Sequence, residues 1–514
     1  MKKYILIIMV FFTAGISGCK KDFLSLEVNP NNPSVTTPQL TLAGALATAA
    51  AISDGGGAQY AVWGGYWTPS GNFVPSGPLQ QFQIVNTTYG GIWTLLYGNL
   101  TNFNNLQVLS AKDPAAGNFQ AIAMIMKAYD FQQLVDQFND VPYTQAFQPS
   151  TILFPAYDKG QAIYDDLVKQ LDAAIALINK STGGTNPGTS DIVFGGNMTG
   201  WKKMANSIKL RLAIRQSTKL PANAAATSLA ATSGEGYLDE TTQAIANPGY
   251  SNDATKQSPF YGGFGLDPNG NPTAANVFFR ANNFFINLLT TDKDPRLNTI
   301  FYGTTGSAGV TIKGNTLGDV VTTLSNPNTS AIGPGLLISS AQPAVLFSGA
   351  ESLFLQSEAV LDGYITGSAQ TLYERGITAS FVALKAGSTT TFSAATGKYT
   401  TVYASAATSA ALAATYYGQA INNVGWVAST DKKQAIIYQK YISLIGHNNE
   451  EAYMEYLRTG YPVLPNPVSI DPASVSPTVP VRLYYPLTEI NSNPDQLKKE
   501  GTIDIFNSKV FWDN

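Results

Sequence analysis

Apolar residues recur at helical spacing along much of the chain, and one stretch carries two such rows. Asp113 followed by Pro114 favours a helix start, because aspartate caps the first turn and proline needs no hydrogen bond there. Pro142 favours the end of the same helix. The two apolar rows in between are formed by Met124, Ala128, Phe131, Val135 and Phe138 and by Ile122, Ile125 and Tyr129. A helix with two apolar rows packs on more than one side, so we predict that it lies inside a stack of helices.

Other stretches repeat this pattern and predict helical hairpins. Residues 164–178 combine large apolar residues with alanine, as the helices of tetratricopeptide repeats do. Further predicted helix starts share a Ser or Asp cap, and these caps are Asp158 (with Gln161), Ser348 (with Glu351), Ser368 and Asp431 (with Gln434). We therefore predict a mostly all-α fold, a tetratricopeptide-like stack of helical hairpins with a long, irregular, loop-rich ligand-binding region.

Three stretches rich in Gly, Asn, Ser, Thr and Pro interrupt the helical pattern. These predicted inserts are about residues 54–82, 220–345 and 386–411. The helical scaffold is then about residues 86–217 and 346–460, and residues 40–514 are predicted to form a single body. Long irregular stretches in a compact protein are usually functional or disordered, so we expect the function to lie in the inserts.

Aromatic residues crowd into two glycine-rich loops. Trp63, Tyr66, Trp67 and Phe73 lie in the first loop, and Tyr261 and Phe264 lie in the sequence FYGGFG of the second. Rings on such loops form either a buried plug or a surface on which a ligand stacks, and the sequence leaves both alternatives open. If the second alternative holds, these six residues are the candidate ligand-binding residues.

Composition excludes several classes of function. The 514 residues carry a formal net charge of −3 and only 13% are charged, which argues against a nucleic-acid partner because such a partner needs a basic face. The chain has one Cys and one His, so it cannot form an internal disulfide or a Cys/His zinc cluster. The sequence DPNGNP at 267–272 lacks the Gly and the Glu of a calcium loop. We predict no metal site and no cofactor.

Catalysis would need groups that the sequence explains otherwise. A Ser-His-Asp triad would require His447, which we interpret as a polar linker residue between two helical stretches. Paired carboxylates remain possible for a glycosidase, and the candidate pairs are Asp136 with Asp140 and Glu450 with Glu451. Each pair is also explained by helix surfaces and ends, so we predict no catalytic residue and no enzyme activity.

The N-terminus has the pattern of a secretory signal. Lys2 and Lys3 precede an apolar run that is too short to span a bilayer, and Ile16-Ser17-Gly18 leads to Cys19. This segment resembles a bacterial lipobox, which implies that residues 1–18 are removed and that Cys19 carries the lipid. Residues 19–39 then form a tether to the membrane. The alternative is an ordinary secretory signal with an incidental cysteine.

An ordered set of segments resembles the SusD/RagB family of nutrient-binding outer-membrane lipoproteins. The segments are LVDQFNDVPYTQA, the helix after Asp158, the helix from Lys432 to Leu444, EEAYMEYLRTGYP, and a tail with Arg482, Tyr485-Pro486, Glu489 and Asn493. They follow one another between about residues 90 and 500, behind the lipobox. We interpret Arg482 and Glu489 as structural residues that tie the tail to the helices.

The resemblance implies both a function and a partner. Such proteins lie on the cell surface, anchored to the outer membrane by lipid, and act as a lid on a SusC-like TonB-dependent barrel. The chain would capture a glycan and deliver it to that transporter without breaking a bond. The alternatives are the same lid role for a peptide or another nutrient, a lipoprotein glycosidase, and a helical-repeat adaptor with no small ligand.

Overall fold

The computed structural model describes residues 36–513 apart from 56, 75, 149, 231, 305–310, 320–322, 468–478 and the side chain of Ser233. The predicted signal sequence, Cys19 and most of the predicted tether lie outside the described residues. Helices dominate the described chain, and its strands form short antiparallel pairs. The predicted fold class, mostly helical with hairpins stacked on one another, is confirmed.

The helices up to residue 230 are α1 (Pro38–Gly55), α2 (Ala58–Trp63), α3 (Gly77–Gln80), α4 (Gly91–Ser110), α5 (Gly117–Phe138), α6 (Gly160–Lys180), α7 (Met198–Arg215) and α8 (Ala222–Ala230). Those of the next part are α9 (Pro259–Phe264), α10 (Ala274–Phe278), α11 (Asn283–Thr291) and α12 (Leu297–Ile300). The remaining helices are α13 (Gly349–Leu361), α14 (Ala369–Ala383), α15 (Ala406–Tyr417), α16 (Lys432–Leu444), α17 (Asn449–Thr459), α18 (Leu487–Ser492) and α19 (Pro494–Leu497).

The strands in the described part of the chain form three two-stranded sheets. They are β1 (Trp67–Pro69) with β3 (Phe279–Ala281), β2 (Ala244–Ala246) with β4 (Ala344–Phe347), and β5 (Thr389–Ser393) with β6 (Lys398–Val402). The first pair joins the insert at 54–82 to the insert at 220–345. The inserts are therefore fastened to one another, and this fastening decides which of their rings reach the surface.

The helix predicted from Asp113 to Pro142 is the centre of the scaffold. Asp113 accepts a hydrogen bond from the amide of Ala115 at 2.9 Å and caps a single 3-10 turn, after which α5 continues to Phe138. Both predicted apolar rows are buried, and α5 packs against α4 on one side and α6 on the other. The prediction of a helix inside a stack is confirmed.

Four predicted caps divide into three that are confirmed and one that is wrong. The side chains of Ser348, Ser368 and Asp431 each accept a hydrogen bond from the amide three residues later. Asp158 does not cap α6: its carboxylate accepts hydrogen bonds from the amides of Tyr143 and Thr144 instead. In the folded chain the amides of Tyr143 and Thr144 lie close to Asp158 and need an acceptor. This tertiary contact overrides the local capping pattern.

Buried ion pairs hold the scaffold helices together. Arg211 and Arg215 of α7 are buried and paired, Arg211 with Glu351 at 2.6 Å and both with Glu451. The network continues through Glu455 of α17. Its other members, in the described part of the chain, are Asp136, Glu358, Lys440 and Arg458. Removing one partner of such a buried pair typically costs 3–5 kcal/mol, so the network fixes how α5, α7, α13 and α17 pack.

The C-terminal tail is tied to the scaffold by the two residues that we interpreted as structural. Arg482 donates a hydrogen bond to the carbonyl of Phe138, and Glu489 accepts one from the hydroxyl of Tyr157 at 2.5 Å. They bind different partners rather than each other. Each one nevertheless fastens the tail to the region around the end of α5.

The prediction of a loop at residues 386–411 is wrong in detail. It contains the hairpin of β5 and β6, and α15 begins inside it at Ala406. Threonine and aromatic residues favour strands, and they alternate here so that every second side chain is half-buried. The hairpin turns over residues 394–397, with Phe392 opposite Tyr399.

Candidate functional site

The rings of the first aromatic loop lie in the core. Trp63, Tyr66 and Trp67 are 2%, 0% and 0% exposed. The hydroxyl of Tyr66 donates to the carbonyl of Tyr441 at 2.5 Å, and the two rings stack with their centroids 4.4 Å apart. Trp63 lies 5.8 Å from the ring of Tyr453. These rings fill the space between the insert and the helices α16 and α17.

Phe264 of the second loop joins the same cluster. It is 5% exposed and lies 5.3 Å from the ring of Trp67. We call Trp63, Tyr66, Trp67 and Phe264 the aromatic plug. The prediction that these four contact a ligand at the surface is corrected by their burial: the plug alternative holds for them. The pairing of β1 with β3 places Phe279 beside Trp67, and Phe264 packs on both rings, so these apolar rings leave water together.

Two of the six predicted residues remain accessible. Phe73 is 41% exposed and packs against the half-buried Phe278, with 5.2 Å between the ring centroids. Tyr261 is half-buried at the start of the second loop. Only these two of the predicted set can touch a ligand without a change of conformation.

Tyr261 belongs to a group of tyrosines that the sequence did not single out. Tyr302 and Tyr399 stack with their ring centroids 4.2 Å apart and their planes 21° apart. Burial raises the pKa of Tyr302 above its ordinary value, and the nearby phenols of Tyr403 and Tyr261 raise it further. We call Tyr261, Tyr302, Tyr399 and Tyr403 the tyrosine patch. All four are partly exposed, so the patch is a surface and not a second plug.

Three different elements bring the patch together. Tyr261 lies on α9, Tyr302 follows α12, and Tyr399 and Tyr403 lie on and just after β6. The hairpin is held in place because Tyr399 donates a hydrogen bond to the carbonyl of Gly303 at 2.6 Å. Tyr403 donates to the carbonyl of Ile338 at 3.2 Å. These hydroxyl bonds orient Tyr399 and Tyr403, and the partly exposed rings of the patch, apart from the faces that Tyr302 and Tyr399 turn to each other, form the candidate contact surface.

A buried cation lies close to the patch. Arg280 of β3 is 6% exposed, and its Nη1 donates to the carbonyl of Phe279 at 2.8 Å. Burial lowers the pKa of Arg280 to about 10, and its charge opposes the rise in the pKa of Tyr399 that burial causes. Its Nε has no hydrogen-bond partner among the described residues. The patch therefore combines flat rings with a nearby guanidinium.

The sequence contained a weak signal for the patch. Tyr302 lies in FYG, which repeats the start of FYGGFG, and KYTTVY at 398–403 alternates aromatic and β-branched residues as a strand does. Treating 386–411 as a loop hid this alternation. The assembly of residues from 261 to 403 on one surface follows from the tertiary structure alone.

The first carboxylate pair nominated for catalysis has structural partners. Asp136 accepts a hydrogen bond from the indole of Trp512 at 2.8 Å and another from the hydroxyl of Tyr164. Asp140 pairs with Lys159 at 2.7 Å and accepts from the amide of Gly160 at 2.8 Å. Both carboxylates are therefore used to hold α5 against α6 and the C-terminus.

The second pair is equally unsuited to a glycan. Glu451 belongs to the buried ion network, and Glu450 lines a cavity of about 20 Å³. Such a cavity holds about one water molecule, which excludes a sugar ring. His447 hydrogen-bonds Asp54 through Nδ1 at 2.9 Å and lies beside the ring of Phe260 at 5.1 Å. No Ser, Thr or Cys side chain is hydrogen-bonded to it in the described part of the chain.

The described residues contain neither a metal-binding cluster nor a membrane-spanning helix. Across the described ranges, no group of three or more His, Cys, Asp or Glu side chains is arranged to hold a metal ion. Within the same residues, no helix has the length and apolar character needed to cross a bilayer.

Comparison with known proteins gives a consistent result. The family described as SusD-like, starch-binding associating with outer membrane, matches residues 30–486. A chitin-binding protein of known structure is 26% identical, and the alignment covers 93% of this chain and all of that chain with a TM-score of 0.73. No curated protein matches.

Two further solved structures share the fold. A SusD homologue from Bacteroides fragilis is 21% identical, with 93% and 99% of the two chains covered and a TM-score of 0.72. A chitin-binding SusD homologue from Flavobacterium johnsoniae is 22% identical, with 92% and 98% covered and a TM-score of 0.70. The family match spans most of the sequence and the fold agrees over nearly the whole chain, so this protein belongs to the SusD-like family.

Proposed function

We propose that this protein captures a glycan on the tyrosine patch and delivers it, as a lid, to a SusC-like TonB-dependent outer-membrane transporter. The observation that carries the proposal is the stacked, partly exposed pair Tyr302 and Tyr399 at the meeting point of two inserts. Membership of a family described as starch-binding supports a carbohydrate ligand.

The chemistry of the patch suits a sugar. The C–H face of a pyranose ring packs on a flat aromatic ring, and its hydroxyls exchange hydrogen bonds with polar groups at the edge. The patch offers four partly exposed phenol rings, and the buried Arg280 lies close enough to act on the charge of Tyr399. A neutral or weakly charged oligosaccharide would therefore gain ring contacts and hydrogen bonds to phenol hydroxyls.

The first glycan to test is a chitin oligosaccharide. The relative that is 26% identical is a chitin-binding protein, and it covers nearly the whole chain. A starch oligosaccharide and a peptide mixture are the comparison ligands, because the family description names starch and because the rings would also accept a peptide.

The decisive experiment is a calorimetric titration of the full chain in detergent. We expect saturable binding of one of the two glycans, and Tyr302→Ala should weaken it at least tenfold. Tyr417→Ala is the matched control, because Tyr417 is also a half-buried tyrosine but lies on α15 outside the patch. Binding that Tyr302→Ala leaves unchanged would contradict the site, and binding of the peptide mixture alone would change the ligand class.

The lid role and the anchor form a second step of the proposal. A lid needs a partner barrel, and we propose that the helical scaffold rather than the inserts contacts it. Affinity purification of the tagged chain from its native membrane should recover a TonB-dependent barrel, with or without Tyr302→Ala. Cys19→Ala should release the protein from the membrane fraction, and continued retention would contradict the lipid anchor.

Ligand capture on this account makes and breaks no bond. The nominated carboxylate pairs support this view because they are engaged by Arg, Lys, Trp and backbone partners or face a water-sized cavity. Incubation of the full chain with chitin and starch oligosaccharides should therefore return them with their length distribution unchanged. A shortening that rises with protein concentration would establish a glycosidase.

A further inference from the structure

A second cavity lies in the helical scaffold, apart from the inserts. Its volume is about 490 Å³, which is within the range of about 300–1,000 Å³ typical of small-molecule sites. It lies between α4, α5 and α6, under the loop that joins α5 to α6. We call it the Lys127 pocket, and its lining includes Gln107, Lys127, Phe131, Tyr143, Phe147 and Asp166.

Lys127 is held in this pocket with part of its donor capacity unused. Its Nζ donates to Oδ1 of Asn104 and to Oε1 of Gln107, each at 3.0 Å. An ammonium group has three protons, and the hydrogen bonds of Lys127 to described residues use two of them, both on neutral amide oxygens and neither on a carboxylate. Burial lowers the pKa of Lys127 to about 8, so the ammonium has lost much of its hydration.

Two fully buried lysines of the scaffold show which partner the half-buried Lys127 lacks. Lys209 pairs with Asp172 at 2.5 Å, and Lys440 pairs with Glu455 at 3.1 Å. A buried charge without a counter-charge costs free energy, which is why such groups are usually paired. Lys127 has only the two neutral amide oxygens, and an anion that entered the pocket would supply the missing charge.

The carboxylate of Asp166 does not serve that purpose. It accepts a hydrogen bond from the hydroxyl of Tyr143 at 2.6 Å and another from Nε2 of Gln170 at 3.2 Å. It forms no ion pair with Lys127, although both line the pocket. The carboxylate of Asp166 is thus hydrogen-bonded by neutral donors, whereas the ammonium of Lys127 is not paired with a carboxylate of any described residue.

Aromatic rings form the apolar wall of the pocket. Phe147 has a left-handed backbone with φ of 62°, which is uncommon for a bulky side chain. Its ring centroid lies 5.5 Å from Nζ of Lys127 and 6.2 Å from the ring of Phe131. This conformation holds an aromatic ring beside the ammonium, so the Lys127 side of the pocket places a positive charge next to an apolar surface.

We propose that the Lys127 pocket binds a ligand in which a carboxylate adjoins an apolar group. The carboxylate receives the third N–H of Lys127 as a charge-assisted hydrogen bond, and the apolar group packs on Phe131 and Phe147. An amino-acid or peptide carboxylate and a uronic acid both offer this chemistry. The site is separate from the tyrosine patch, so it takes a ligand in addition to the proposed glycan.

The test uses two acids and their uncharged amides. N-acetyl-phenylalanine and glucuronic acid are titrated into the full chain in detergent, and each is compared with its amide by calorimetry. We expect at least one acid to bind at least tenfold more tightly than its amide, and Lys127→Met to abolish that difference. The acid that binds identifies the source of the carboxylate.

Lys112→Met is the matched control, because it removes the same charge from an exposed position at the end of α4. It should leave binding of the acid unchanged. The proposal is overturned if neither acid exceeds its amide, or if Lys127→Met and the native chain bind the acid equally.

A second variant covers the case in which Lys127→Met fails to fold. Gln107→Glu places an internal carboxylate on the ammonium while keeping the size of the side chain. It should retain the helical circular-dichroism spectrum and weaken binding of the acid at least tenfold, because the counter-charge is already present. Native affinity in a folded Gln107→Glu chain would also overturn the proposal.

Discussion

The aromatic plug and the tyrosine patch are built from the same kind of side chain on inserts of similar composition, and they have opposite surroundings. Trp67 of the plug is fully buried against Phe264, whereas Tyr302 of the patch is stacked on Tyr399 and half-exposed. Tyr66 and Trp63 of the plug face α16 and α17, whereas Tyr399 and Tyr403 of the patch are held by hydrogen bonds to backbone carbonyls. The comparison teaches that the position of an insert relative to the scaffold, and not its content of rings, decides whether its rings stabilise the fold or meet a ligand.

The strongest way to break this comparison is to remove a plug ring. Trp67→Ala should lower the free energy of unfolding by about 3–5 kcal/mol, because it deletes a fully buried indole and leaves a cavity. Chemical denaturation followed by tryptophan fluorescence measures the effect. A loss below about 1 kcal/mol would mean that Trp67 is not part of the core in solution.

Two carboxylates of the insert at 220–345 show that surroundings also decide the role of a charged residue. Asp294 is paired with Arg296 at 2.5 Å, whereas Oδ2 of the buried Asp292 has no partner among the described residues. Burial first, and then the charge of Asp294, raise the pKa of Asp292 to about 7. The folded state therefore holds a proton that the unfolded chain releases near pH 4, and stability falls as pH rises from about 4 to 7.

Asp292→Asn should remove this dependence. The variant should be more stable than the native chain at pH 7, by on the order of 2 kcal/mol, and the difference should vanish near pH 4. Urea denaturation at both pH values measures it. An equal difference at both values would show that the gain does not come from the titration of Asp292.

Removing a patch ring should affect ligand binding more than folding. Tyr302→Ala should weaken glycan binding at least tenfold, which corresponds to about 1.4 kcal/mol. It should lower the free energy of unfolding by about 0.5–1.5 kcal/mol, because the lost contact is a half-exposed stacked pair. Titration and urea denaturation of the same preparation separate the two effects. If the variant keeps native affinity and loses much of its stability, Tyr302 stabilises the fold, as the rings of the aromatic plug do, and does not bind the ligand.

The smallest effect is expected at Phe73, which is on the same insert as the plug but 41% exposed. Phe73→Ala should change the free energy of unfolding by no more than about 0.5 kcal/mol, as is usual for surface substitutions. It should change glycan affinity less than threefold if the ligand stays on the tyrosine patch. A tenfold loss in the titration would extend the site toward Phe73 and Phe278.

Much of the scaffold was predictable from residues close together in the sequence. The two apolar rows of α5 and the caps at Ser348, Ser368 and Asp431 are confirmed, because the periodicity of a helix and the hydrogen bond of a cap both depend on residues three or four positions apart. The failed cap at Asp158 marks the limit of this reasoning. Its carboxylate accepts hydrogen bonds from the amides of Tyr143 and Thr144 instead, and these amides approach it only in the folded chain.

The candidate site was predicted in part. Tyr261 is the one member of the tyrosine patch that sequence reasoning selected, because it lies in a glycine-rich aromatic loop. Tyr399 was missed because a strand was interpreted as a loop. Tyr302 carried no signal beyond the short repeat FYG.

By itself, the sequence determined the helical class of the protein and the family to which the chain belongs. The tertiary structure alone decided that Trp63 and Trp67 are buried, that Tyr261 and Tyr403 share a surface, and that Arg215 meets Glu451. The physical reason is the distance along the chain over which each kind of interaction acts. Periodicity and capping act over one or two turns of chain, whereas burial and ion pairing depend on partners up to hundreds of residues away, which only the packed fold brings together.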